Sequence, residues 1–133
     1  MRRHLMLVIG VAALSFGPLA AQTTNVVGDR STPLRAVTGP GNVGVSNAVL
    51  RDQPEVRAVR VVVEAGGTRS LHAHNDVRFH LFVPITGAMT VDLEGGRQMD
   101  VLAWQPYYMK AGTQHGFHNP GASPVDIMEI FIK

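Results

Sequence analysis

From Val43 onward, apolar positions alternate with polar ones along most of the chain. Successive side chains of a strand point to opposite faces, so a period of two reads as β-structure. The stretch Val56-Arg57-Ala58-Val59-Arg60-Val61-Val62-Val63-Glu64 is β-branched and alternating, which predicts a strand with one buried face. Ala88 to Glu94 alternates cleanly. It predicts Met89, Val91 and Leu93 inward, and Thr90, Asp92 and Glu94 outward. Further strands are predicted over 78–85, 98–102, 107–110, 115–119 and 125–132. Glu94-Gly95-Gly96-Arg97 predicts a hairpin turn. No segment after residue 21 carries a sustained helical period. Many short strands separated by Gly and Pro turns predict an all-β sandwich or barrel.

The first 42 residues break this pattern. Residues 22–42 are rich in Thr, Gly, Pro and Asn without a sustained apolar period, so they read as a flexible or draping segment. A strand around Val26-Val27 that closes the barrel is the alternative. Ahead of it, Arg2 and Arg3 precede an apolar run from Leu5 to Phe16, a break at Gly17-Pro18 and a small-residue end at Leu19-Ala20-Ala21. That order predicts a signal peptide over 1–21. The run falls short of the roughly 18–20 residues that span a bilayer. The expectation is a periplasmic or secreted protein with no membrane partner after cleavage, and one barrel domain over 43–133.

Export changes the charge balance. The chain has 12 Lys and Arg against 10 Asp and Glu. Loss of Arg2 and Arg3 removes two basic groups and no acid, leaving ten against ten. Nothing in that balance points to nucleic acid or an anionic membrane surface. The chain has no cysteine, so no disulfide supports the fold and the apolar core must do so.

Histidine carries the candidate chemistry. His72-Ala73-His74 on a strand sends both imidazoles to one face. His115 follows the glycine turn at Gly112, and a rigid turn suits a metal ligand. His72, His74 and His115 are therefore candidate ligands of one metal ion.

The spacing of these residues resembles the cupin superfamily, small double-stranded β-helix barrels of jelly-roll type. The first cupin motif runs Gly, five residues, His-x-His, three or four residues, Glu, six residues, Gly. Gly66 is followed by five residues and then His72-Ala73-His74, and Gly87 closes the motif. The second motif, Pro-x-Gly, two residues, His, three residues, Asn, is matched by Gly112, His115 and Asn119. The likeness covers about Val56 to Lys133. Three departures stand out. The motif's Glu is absent, and His80 occupies its distance from Gly87. Lys110 replaces the Pro, and Trp104 stands where an earlier Gly is usual. The stretches Tyr107 to Gly112 and Ile127 to Lys133 are similar to a subgroup of small bacterial cupins, some of them assigned to β-alanine degradation. The resemblance implies one divalent ion held by His72, His74, His80 and His115. Fe, Mn, Ni, Cu and Zn all accept imidazole.

Two placements stay open. If His80 lines the interior with Phe82, the apolar face of Phe79, Leu81, Val83 and Ile85 lies outside and needs a cover, which predicts a homodimer. If that apolar face is inside, His80 is exposed. Asp76 and Glu129 are the candidate catalytic carboxylates beside the metal; for Asp76 the alternative is a solvated loop. His118 has the parity opposite to His115 and reads as outside the ligand set. Asn119 reads as shaping the turn before Pro120, and Phe82, Phe117 and Tyr108 as core. Arg69 and Arg78 either meet an anionic ligand or are surface charges. Neutral imidazoles leave a metal's charge uncompensated, so the expected partner is a small anionic molecule. The expected function is a metal-dependent oxygenase, isomerase or lyase, with a non-catalytic binding or sensing module as the other reading.

Overall fold

A computed structural model describes residues 28–133. The signal-peptide expectation and Val26-Val27 lie outside the described residues. Nine strands make up the architecture: β1 Arg35–Ala36, β2 Val43–Asp52, β3 Val56–His72, β4 Phe79–Pro84, β5 Met89–Leu93, β6 Arg97–Val101, β7 Tyr107–Lys110, β8 His115–His118 and β9 Val125–Ile132. Among the described residues the sole helical element is the single 3-10 turn Glu94–Gly96, which joins β5 to β6 as a hairpin. Gly95 and Gly96 both have positive φ there, at 78° and 74°, a conformation glycine adopts without strain.

β3 organises the barrel. The strand continues past Glu64 to His72, eight residues beyond the expected end. The N-terminal half pairs with β2 on one side and β9 on the other. The C-terminal half pairs with β8. One strand therefore joins the two arms of a single nine-stranded sheet, β2-β3-β9-β4-β7 and β3-β8-β5-β6. The changeover is at Gly66-Gly67. Gly66 has φ 70°, and a Cβ on Gly67 would lie 2.9 Å from the Glu64 carbonyl oxygen. Only glycine fits so tight a bend.

Asn119 fastens that bend to the turn after β8. Its amide nitrogen donates to the carbonyls of Val63, Glu64 and Ser123 at 3.1, 3.1 and 2.8 Å. Its side-chain oxygen accepts from the Gly121 backbone N–H at 2.9 Å. The turn-shaping role read from its place before Pro120 thus extends to holding β3 and β8 in register.

Valines of β3 (Val59, Val61, Val63), Phe82, Met89, Val91, Met109, Phe117, Ile127 and Phe131 form the core. On β4, His80, Phe82 and Pro84 are buried, while Phe79, Leu81, Val83 and Ile85 form the half-buried outer face. Register places Phe79, Leu81 and Val83 beside Ile132, Ile130 and Met128 of β9, so the outside of this arm of the sheet is broadly apolar. Tyr108 belongs to that outside, not to the core: it is 50% exposed and its ring lies 5.1 Å from that of Phe79. β1 pairs with β2 inside the stretch that composition reads as loose.

Candidate metal centre

His72 is the last residue of β3, and His74 lies just beyond it in the following loop. A shared strand is therefore not what brings them together, although their rings stand 5.0 Å apart. His115 opens β8 directly opposite His72, with ring centroids 4.4 Å apart. His80 enters from β4, 4.8 Å from His115 and 5.1 Å from His74. The ligand atoms of His72, His74 and His115 lie within 4.8 Å of one another, as do those of His80, His115 and Glu129. Donors about 2.1 Å from one ion stand about 3–4 Å apart, so small side-chain movements suffice to close on a metal.

The backbone sets two tautomers. The Nδ1 of His72 donates to the Ser70 carbonyl at 2.9 Å, and that of His115 to the Thr113 carbonyl at 2.8 Å. A carbonyl can only accept, so each Nδ1 carries the proton and each Nε2 keeps its lone pair. The Nε2 atoms of His74, His80 and His115 and the Oε1 of Glu129 are buried without a hydrogen-bond partner. An unpaired buried polar atom costs about 1–3 kcal/mol. Buried lone-pair donors converging on one point are satisfied together by a cation.

Burial also fixes the charge states. It pushes His72 and His74 down to about 4 and His80 down to about 3, and it lowers His115. All four imidazoles are neutral near pH 7, as ligation requires. Burial pushes the Glu129 carboxyl up to about 7. Glu129 points inward from β9, opposite Val59 of β3 and Phe82 of β4, and is 6% exposed.

The structure sorts the remaining candidates. Asp76 is not brought into the cluster; its side chain is 67% exposed and lies 4.0 Å from Arg57. A loop between β3 and β4 leaves it in water. His118 turns outward, with its Nδ1 3.0 Å from Asp92. Arg78 is exposed. Arg69 is on the inner side, beside Phe117. A cavity of about 270 Å³ opens inside the barrel, lined by apolar residues such as Val45, Val59, Phe117 and Phe131, with Asn47, Asp52, Arg57, Arg69, His72, His74 and Glu129 as its polar groups.

Residues 59–131, more than half of the chain, match the family model described as cupin domain. The chain is a cupin. This cupin is 31% identical over 87 residues to a putative mannose-1-phosphate guanylyltransferase of Vibrio cholerae, and 29% identical over 83 residues to mannose-1-phosphate guanylyltransferase of Klebsiella pneumoniae. These stretches are 65% and 62% of the chain but 18% and 17% of the relatives, so the cupin spans less than a fifth of their length. Among solved structures, KdgF from Halomonas sp. superposes with a TM-score of 0.66 at 18% identity, covering 84% of this chain and 96% of that one. The polyketide cyclase RemF from Streptomyces resistomycificus gives 0.69 at 19% identity, with coverages of 83% and 80%. A predicted oxalate decarboxylase from Thermotoga maritima gives 0.69 at 18%, with 80% and 97%. At these identities the likeness establishes the cupin fold.

The carboxylate nearest the histidines is Glu129, already a candidate from the sequence; it comes from β9, far from the motif position where a Glu is expected, and shares its inward parity with Ile127 and Phe131. One residue of the site escapes the pattern. Asn42, which holds Arg69 at 2.9 Å, lies in the loose segment, and no pattern marks it.

Proposed function

We propose that this cupin binds one divalent metal through His72, His74, His80 and His115 and acts as an enzyme on a small anionic molecule. The observation that carries this reading is a pair of donor clusters sharing His115, one of His72, His74 and His115 and the other of His80, His115 and Glu129, in which the Nε2 atoms of His74, His80 and His115 are buried without a partner. When bound, a divalent ion supplies Lewis-acid polarisation of a ligand oxygen. His72 and His115 keep fixed orientations through their backbone hydrogen bonds. Glu129 lines the cavity, and a carboxyl raised to about 7 is poised to take up or release a proton near neutral pH. A general base beside the histidines favours an isomerase or lyase over a module that only binds. Fe, Mn, Ni, Cu and Zn remain open as the ion.

The N-terminal pattern supports export to the periplasm or beyond. The N-terminal mass of protein recovered there tests it, and a soluble cytoplasmic protein retaining residues 1–21 would reject it. The apolar outer face of β4 and β9 supports a homodimer. The metal reading is tested by elemental analysis of untagged protein purified without added metal. Near one equivalent of a transition metal is expected; none, even after incubation with each candidate ion, refutes it.

A further inference from the structure

Two guanidinium groups reach the cavity, and their charges are managed differently. Arg57 lies 3.3 Å from Asp52 and 4.0 Å from Asp76, so its charge is already answered. Arg69 has no carboxylate within 4.0 Å among the described residues. Its partner is an amide: the Arg69 Nη1 donates to the side-chain oxygen of Asn42 at 2.9 Å. That oxygen also accepts from the backbone N–H and the hydroxyl of Ser70, each at 3.0 Å. The amide nitrogen of Asn42 donates to the Thr38 carbonyl at 2.8 Å. Asn42 is thus fixed at both ends.

A neutral amide orients a guanidinium without cancelling its charge. Arginine presents donors in a planar fork that matches a carboxylate, and one donor here is spent on Asn42. Arg69 lines the same cavity as His72, His74 and Glu129, which places it close to the cluster. We propose that Arg69 is the carboxylate anchor of the cavity, with Asn42 as its positioning residue, and that the substrate is a small monocarboxylate bearing a second oxygen within reach of the histidines. The second oxygen rests on the metal reading above; the anchor does not. A single carboxylate is specified because Arg57 is already paired with Asp52, leaving Arg69 the one guanidinium of the cavity without a carboxylate partner among the described residues.

The test is calorimetric titration of the full exported protein with glycolate, glyoxylate, glycolamide and malonate. Metal content is measured on the same samples. Glycolate or glyoxylate should bind, with glycolamide on the order of tenfold weaker, the size of a lost charged hydrogen bond; malonate should also bind more weakly than glycolate, because its second charge meets no uncompensated cation. Arg69→Gln should weaken glycolate by a similar factor at unchanged metal content. Asn42→Ala should weaken it less than Asn42→Asp, because Asp keeps the shape but neutralises Arg69. A merely structural Asn42 would rank these two the other way. Failure of wild-type protein to bind either monocarboxylate, equal binding of glycolamide, or unchanged glycolate binding by Arg69→Gln overturns the anchor. Malonate binding as tightly as glycolate overturns the single-carboxylate specificity. Asn42→Asp binding no worse than Asn42→Ala overturns the positioning role. Absence of metal in wild-type protein refutes the metal reading instead, and the Arg69→Gln comparison still reports on the anchor.

Discussion

Replacing His80 with leucine should make the metal-free protein more stable and the metal-loaded protein less so. His80 is 1% exposed and its Nε2 has no partner, an arrangement that costs about 1–3 kcal/mol. Leucine has a similar volume and no polar atom. The substitution gives up ring contacts with Phe131 at 5.1 Å and His115 at 4.8 Å, worth about 0.5–1.5 kcal/mol. The balance favours the variant by roughly 1 kcal/mol, or about 4 °C in Tm for a domain of this size. Acid should widen the gap. Burial holds His80 at about 3, against 6.5 ordinarily, so the unfolded chain takes up its proton first. The stability contributed by neutral His80 is whole above about 6.5 and is lost as pH falls toward 3. The variant lacks that loss. Metal should reverse the order, since an ion at a hundredfold its Kd adds about 2.7 kcal/mol to wild type, and the variant, one donor short, should gain less. Thermal unfolding near neutral pH and at about pH 5, with and without divalent ions, reads all three effects. A variant that melts lower without metal, or that keeps the whole metal-induced shift, would refute the reasoning.

Ala at His72, His74 or His115 should sharply lower metal occupancy by elemental analysis, whereas His118→Ala, on the outer face with Asp92, should leave it nearly unchanged. His80→Glu should retain metal, because it restores a carboxylate at the motif's spacing. For Glu129, raised from 4.5 to about 7, stability is whole below 4.5 and is lost as pH rises through 7; denaturant midpoints of metal-free Glu129→Gln should therefore hold up better than wild type on the alkaline side of that window. Light scattering should report a dimer, and Leu81→Asp or Ile130→Asp on the half-buried outer face should shift it toward monomer with metal still bound; a strict wild-type monomer at high micromolar protein refutes the dimer.

The strand pattern was legible because most strands bury one face, and a period of two survives wherever that holds. It failed where that condition lapsed. Gly66-Gly67 reads as punctuation, yet it is a bend within one strand that has to serve both arms of the sheet. His80 was ambiguous because both faces of β4 are apolar; pairing with β7 and β9, a long-range fact, places it inside. Tyr108 sits on an edge strand whose outer side carries its own apolar patch. The spacing singled out His72, His74 and His115, but the strand argument behind the first two lapses because β3 ends at His72 and His74 lies in the following loop. Asn42 acts through Arg69, 27 residues away in sequence, and no local pattern encodes such a pairing.

The central claim is that the buried histidines hold one metal ion. X-ray absorption at the metal edge of untagged protein tests it most directly. One equivalent of a transition metal with three or four imidazole nitrogens at about 2.0–2.2 Å is expected. A protein that takes up no stoichiometric metal, or whose metal shows no imidazole scattering, would contradict it.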